Sequence, residues 1–310
     1  MLSLRNVYFF QAGIGILANA ILLIFHFLTI YQAYRPRPTD ITTCQLAFVH
    51  IVMLLTTVGI LSENMFKSLN FANELKCKLL IYVSRVMRGL SISTTCLLSI
   101  VQVITICPSS FCLSRFKHKL TNYTIIVLIC IWFLNLSSNS SMITYTVAHS
   151  NRSNLLSVSK YCSLSSVNSI IRKIFFMLVL SQRVLSVGLM VFSSTYMVIF
   201  LCSHQRKSEY LHSMSVSLRI SPAKRATCTV LVLVSFFVIM YCVDMTISSF
   251  SVMLWKYEPV VLDIQILVGN IYATFSPLLH FSSDSRILGL LKKMIDTTMI
   301  VTVNVANLKM

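Results

Sequence analysis

The residues in this chain best placed to do chemistry are charges set inside apolar sequence. Arg85 and Arg88 stand three positions apart in a long apolar stretch, which puts both guanidinium groups on one face of a helix. Arg183 and Asp244 interrupt two later apolar stretches. A charge in such surroundings needs an opposite charge or a water-filled cavity. Three arginines facing one aspartate are hard to neutralise internally, so the pattern predicts a polar cavity with surplus positive charge. Arg85, Arg88, Arg183 and Asp244 are the candidate lining of a pocket for a small ligand with an acidic or strongly accepting group. The simpler alternative is that Arg85 or Arg88 pairs with Asp244 and only ties two helices together. Asn19, His50 and Ser276 fall at comparable depths of three other stretches and form a candidate hydrogen-bonded cluster, static glue rather than a switch. His50 and His280 lack a third partner for a metal ion, so neither metal nor cofactor is expected.

Other chemistry is poorly supported. Walker A, dinucleotide-binding and zinc-protease helix patterns are missing. No G-x-S-x-G nucleophile elbow appears either. With only nine carboxylates, mostly outside the apolar stretches, an acid–base pair within the membrane has no candidates, and no enzyme is predicted.

The elements that must position the charged residues are seven apolar stretches, at roughly 8–30, 41–62, 78–107, 121–143, 174–201, 227–250 and 260–281. Each is about twenty residues or longer, enough to cross a bilayer as a helix. Lipid cannot satisfy open backbone groups, so these stretches must be helical, and the fold class is an all-α bundle of seven transmembrane helices. Composition agrees, with 56% hydrophobic and 11% charged residues. A soluble domain carries roughly a quarter charged residues. The whole chain, 1–310, reads as one membrane domain ending in a short cytosolic tail at 283–310. Met1 to Tyr8 is too short for a cleavable signal peptide, so the first helix is expected to direct its own insertion.

Charge placement orients the bundle. The net charge of +17 would suit nucleic acid, but Lys and Arg cluster after the first, third, fifth and seventh stretches. Roughly fourteen loop cations lie on that side against eight on the other, which makes it cytosolic and leaves the amino terminus extracellular. Attraction to anionic lipid of the inner leaflet accounts for the excess, and no nucleic-acid partner is expected. Of ten cysteines, this topology exposes only Cys77 and Cys162 to the oxidising side, where they should form a disulfide. Asn151-Arg152-Ser153, in the same loop as Cys162, is a candidate glycosylation site at Asn151. Asn135-Leu136-Ser137 and Asn139-Ser140-Ser141 match the pattern but lie too close to the membrane.

Longer motifs are more specific. The third stretch and its exit read C-K-L-L-I-Y-V-S-R-V-M-R-G-L-S-I-S-T-T-C-L-L-S-I-V-Q-V-I-T-I-C-P-S-S, from Cys77 to Ser110. After the fifth comes H-Q-R-K-S-E-Y-L-H-S, and before the sixth S-P-A-K-R-A-T-C-T-V-L-V-L-V-S-F-F-V. With R-P-R-P-T-D at Arg35 and S-P-L-L-H-F at Ser276, the chain resembles the vomeronasal type 1 receptors over about nine-tenths of its length. The Asp-Arg-Tyr, Cys-Trp-x-Pro and Asn-Pro-x-x-Tyr motifs of rhodopsin-like receptors are absent, as they are in that family. The resemblance implies a pheromone receptor that binds a small chemosignal in an outer cavity and activates a heterotrimeric G protein of inhibitory type. It also implies that the G protein meets a basic inner face of Arg115, Lys117, His204, Gln205, Arg206, Lys207, Lys224 and Arg225. Without the resemblance, that face would read as lipid attraction. A bitter-taste-like receptor is the nearer alternative. A small-solute transporter is the alternative from another class, although it would favour repeated, interrupted helices.

Overall fold

The computed structural model describes residues 2–33, 36–61, 71–106, 119–140, 143, 146–148, 156–157, 162–164, 169–211, 232, 234–247 and 259–283. Seven helices are described: α1 (Leu2–Gln32), α2 (Pro38–Leu61), α3 (Phe71–Ile106), α4 (Leu120–Ser138), α5 (Ser169–Leu211), α6 (Val234–Ile247) and α7 (Pro259–Ser283). The first five are long and apolar enough to cross a membrane, and the described parts of the last two carry shorter apolar runs. Between α4 and α5 lies a small antiparallel sheet of β1 (Thr146–Ala148), β2 (Leu156–Ser157) and β3 (Cys162–Leu164), with β3 in the middle. Ala148 is opposite Cys162, and both Thr146 and Leu156 are opposite Leu164.

Some bounds differ from the sequence expectation. α5 runs to Leu211, so His204 to Lys207 lie on the helix rather than in a loop after it. Helix α3 starts at Phe71, which puts Cys77 beyond its first turn. α2 starts at Pro38 with Asp40 in its first turn. Proline has no N–H to lose there, and an acid suits the positive end of the helix dipole.

Burial divides the helices into centre and wall. In the most apolar window of α3 72% of residues are buried, against 22% in α4 and α5. One core cluster joins Ala12, Met53, Leu54, Val86, Leu90 and Ala273, from α1, α2, α3 and α7. A second joins Ile92, Met190, Phe237, Tyr241 and Tyr272, from α3, α5, α6 and α7. Phe10, Phe133 and Phe192 point outward and are each 72% exposed, as lipid-facing walls require. Lipid tails are as apolar as these side chains, so close packing and hydrogen bonding hold the helices together rather than water exclusion. Small residues permit that packing. A Cβ on Gly15 of α1 would lie 2.7 Å from Leu54 of α2 and 3.0 Å from the Thr274 hydroxyl of α7.

Polar side chains inside the apolar helices mostly bond backward along their own helix. Thr29, Thr57, Thr124, Ser194 and Thr274 each donate to the carbonyl four residues earlier. Such bonds let hydroxyl groups sit in lipid without an unsatisfied proton.

Candidate functional site

The central helix brings the predicted charges together. Arg88 of α3 reaches α6, where its Nη1 donates to Asp244 Oδ1 at 3.3 Å. Both side chains are largely enclosed, at 15% and 6% exposure. The floor under the guanidinium is α7. A Cβ on Gly269 would lie 2.9 Å from Cζ, Nη1 and Nη2 of Arg88, so only glycine lets the group lie where it does. Half-buried Arg183 of α5 is attracted by Asp244 and repelled by Arg85 and Arg88. The pairing of Arg88 with Asp244 is therefore present, with Arg183 close enough to feel both charges.

Arg183 also borders a small recess between α3, α4 and α5, lined by Gly89, Ile92, Ser93, Asn135, Asn139, Val179 and Gln182, whose open surface is mostly apolar. The recess has room for about one water molecule and is not itself a ligand pocket. Its α3–α4 wall depends on Gly89, since a Cβ there would collide with Asn135 Oδ1. Asn135 and Asn139 are buried, which takes both out of reach of glycosylation.

One turn further along α3, a chain of hydrogen bonds crosses the bundle. The Tyr241 hydroxyl donates to Ser91 Oγ at 3.1 Å, Ser91 Oγ lies 2.9 Å from His50 Nε2, and His50 Nδ1 lies 3.1 Å from Ser276 Oγ. With Tyr241 as donor, one arrangement has Ser91 donating to Nε2 and Nδ1–H donating to Ser276. Below it Thr95 Oγ1 and the Tyr272 hydroxyl are 3.5 Å apart. The ring of Tyr272 packs edge-on against both His50 and Phe237. His50 and Ser276 thus meet directly, and both ring nitrogens of His50 are occupied by hydroxyl groups.

Asn19 belongs to a different bond. Its Nδ2 donates to the Gly15 carbonyl at 2.7 Å and to the Ala273 carbonyl at 2.8 Å. Pro277 sits within α7 four residues after Ala273 and has no N–H to give that carbonyl. Asn19 supplies the missing donor from α1. It is fully buried, and its Oδ1 has no partner.

Several candidates lie elsewhere. Cys77 is fully buried and disulfide-bonded. Cys162 is on β3, and His204, Gln205, Arg206 and Lys207 are on α5. Asn151, Arg115, Lys117, Lys224 and Arg225 lie outside the described residues. Ser91, Tyr241, Tyr272 and Gly269 were missed by sequence reasoning. Ser91 lies three residues after Arg88, on the same face, and a glycine inside an apolar helix signals a close approach.

Residues 2–293 match the vomeronasal organ pheromone receptor family. The chain belongs to that family. It is 40% identical to vomeronasal type-1 receptor 90 of Rattus norvegicus over 296 residues, covering 95% of each chain. Vomeronasal type-1 receptors 47 and 48 of Mus musculus are 34% and 36% identical, over 94% of this chain and 94% and 96% of their own lengths. As a vomeronasal type 1 receptor, the chain is a chemosensory G-protein-coupled receptor of the pheromone class, multi-pass in the plasma membrane and not an enzyme. A small-molecule ligand and a G protein are its partners at that level, which sets the bitter-taste and transporter alternatives aside.

Proposed function

We propose that this receptor recognises a small anionic chemosignal through Arg85, Arg88 and Arg183, with Asp244 as the internal anion that the ligand replaces. The observation that carries the reading is Arg183 beside the Arg88–Asp244 pair, attracted by the one carboxylate and repelled by Arg88 and Arg85. An acidic ligand entering there would relieve the repulsion between the arginines. Asp244 gives selectivity, since a neutral ligand has no means of displacing it from Arg88.

In the same reading, residues 1–310 form one domain with the amino terminus and the Cys77 end of α3 outside the cell. Cys77 pairs with Cys162 of β3, which would fasten the small sheet to α3. Asn151 is glycosylated in the same loop. The tail at 283–310 is cytosolic, and an inhibitory-type G protein docks on Arg115, Lys117, Lys224, Arg225 and the His204–Lys207 end of α5.

The test is expression with a promiscuous G protein and calcium readout, using a panel of small carboxylates and their neutral amide isosteres. Carboxylates should activate and isosteres should not. Arg85→Gln, Arg88→Gln and Arg183→Gln should each raise the half-effective concentration about tenfold or more, the value of one charge-assisted hydrogen bond. Unchanged dose-response in all three variants overturns the anion site. With native G proteins, loss of the response under pertussis toxin tests the inhibitory type.

A further inference from the structure

Two exposed cations are held side by side where α2 and α4 begin. Arg37 directly precedes α2, and Lys119 directly precedes α4. Two contacts bring their backbones together. Thr121 Oγ1 of α4 donates to the Pro36 carbonyl at 3.2 Å. Leu120, the residue after Lys119, packs in a core cluster with Leu97, Leu128 and Ile41, which lies one turn after Arg37. Both cationic side chains are exposed, and among the described residues neither is in an ion pair. Asp40, the nearest carboxylate in sequence, is buried and lies 3.2 Å from His26 Nδ1 of α1. The two like charges therefore stay together with the adjacent carboxylate already taken.

Further into the bilayer, α2 and α4 present apolar side chains to lipid. Phe48 of α2 is exposed, as are Tyr123, Ile126 and Val127 of α4. At 1.5 Å per residue, Phe48 lies about 16 Å along α2 from Arg37. One leaflet of hydrocarbon is about 15 Å deep, so the distance is that of an acyl chain. Val52 of α2 and Trp132 of α4 pack on one core cluster, which keeps the two helices neighbours beyond that depth. Paired cations at the end and an apolar wall beyond them follow the order of a phospholipid, head group and then chain.

We infer that the junction of α2 and α4 is a binding site for an inner-leaflet phospholipid whose head group carries a phosphate monoester, the phosphoinositide class. Two adjacent cations suit a doubly charged group, whereas a serine head group would bring its own ammonium against them. Arg37 can grip the phosphate with two parallel N–H donors, and Lys119 adds a point charge. Basic sites between membrane helices on the cytosolic side take head groups of this kind. One acyl chain then lies along Phe48. The site rests on the proposed topology, which puts these ends of α2 and α4 at the cytosolic leaflet. It shares no residue with the arginine cluster around Asp244.

The test uses the full-length receptor purified in detergent and titrated with dioctanoyl phosphatidylinositol bisphosphate, with microscale thermophoresis as readout. Binding should saturate. Arg37→Gln and Lys119→Gln should each weaken it about fivefold, and the two together about thirtyfold. Both side chains are exposed, so the variants should fold, which an unchanged melting midpoint without lipid would show. Lys78→Gln removes a charge at the other end of the bundle and should leave the affinity as it was. Dioctanoyl phosphatidylserine and chain-free inositol trisphosphate should each bind at least tenfold more weakly. No binding to the parent, equal binding by the double variant, an equal loss in Lys78→Gln, or equal binding of either comparison ligand overturns the site. Topology is tested separately with an amino-terminal epitope. Staining of intact cells supports the inner-leaflet placement, and staining only after permeabilisation overturns both the topology and the lipid, whatever the titration gives.

Discussion

Replacing Gly269 by alanine should push the Arg88 guanidinium off Asp244 without disturbing the helix that carries it. The new methyl would stand 2.9 Å from three atoms of that group, where carbon contacts settle at roughly 3.5–4.0 Å. The guanidinium must therefore retreat by about 0.5–1 Å. Its bond to Asp244 is already long at 3.3 Å, and such a retreat takes it past hydrogen-bonding range. Loss of a charge-assisted bond costs about 2 kcal/mol. Alanine in a helix interior recovers up to about 1 kcal/mol of backbone entropy relative to glycine. The net cost in the native background is about 1 kcal/mol, or about 2–4 °C in melting midpoint if soluble-protein scaling carries over. In an Arg88→Gln background the shorter side chain no longer reaches the methyl, and Gly269→Ala should raise the midpoint by a similar amount. The assay is thermal melting of four detergent-purified receptors: parent, each single variant and the double variant. A shift of the same sign and size in both backgrounds would show the two residues to be independent and refute the reasoning.

Other substitutions follow from the same contacts. Asn19→Leu leaves the Ala273 carbonyl open and should cost about 1–3 kcal/mol, read as a lower melting midpoint, with Pro277→Ala restoring part of it by returning the helix its own N–H. Gly89→Ala collides with Asn135 and should sharply reduce surface delivery measured by flow cytometry, whereas Gly89→Ala with Asn135→Ala should recover it. Tyr241→Phe removes only the donor to Ser91 and should raise basal signalling in a calcium or cyclic-nucleotide assay; unchanged basal signal would show that this bond does not hold α6.

Much of this architecture was visible in the residue pattern, because lipid imposes a length and a composition on any helix that crosses it. Arg88 and Asp244 stood out for the same reason, as charges that apolar surroundings make costly. The partner choices were not visible. Asn19 bonds to a backbone carbonyl, and only the position of Pro277 hints that this carbonyl lacks a donor. Ser91 was hidden among hydroxyl residues of α3 such as Thr95, which bonds back along its own helix. The continuation of α5 through His204 to Leu211 escaped notice because an apolar-stretch criterion stops where the side chains turn polar, while the helix continues past that point. Strands of two or three residues, as between α4 and α5, are too short for an alternating pattern to register.

The stripe Arg88, Ser91 and Thr95 on α3 explains why the charged site and the hydroxyl chain belong to one device. Their spacing of three and four residues aligns them along a single helix face, about 5 Å per step. Arg88 meets Asp244, and Ser91 meets Tyr241 three residues earlier on α6. Thr95 meets Tyr272 on α7. The first two contacts are stacked along the same α3–α6 seam, so a displacement of α6 that breaks one strains the other. Ser91 passes that strain to His50 on α2, and His50 passes it to Ser276 on α7. A ligand shifts such an assembly only as far as its affinities for the two arrangements differ. An anion competing with Asp244 for Arg88 has that difference built in, because it bonds to the guanidinium most strongly when α6 has withdrawn its own carboxylate.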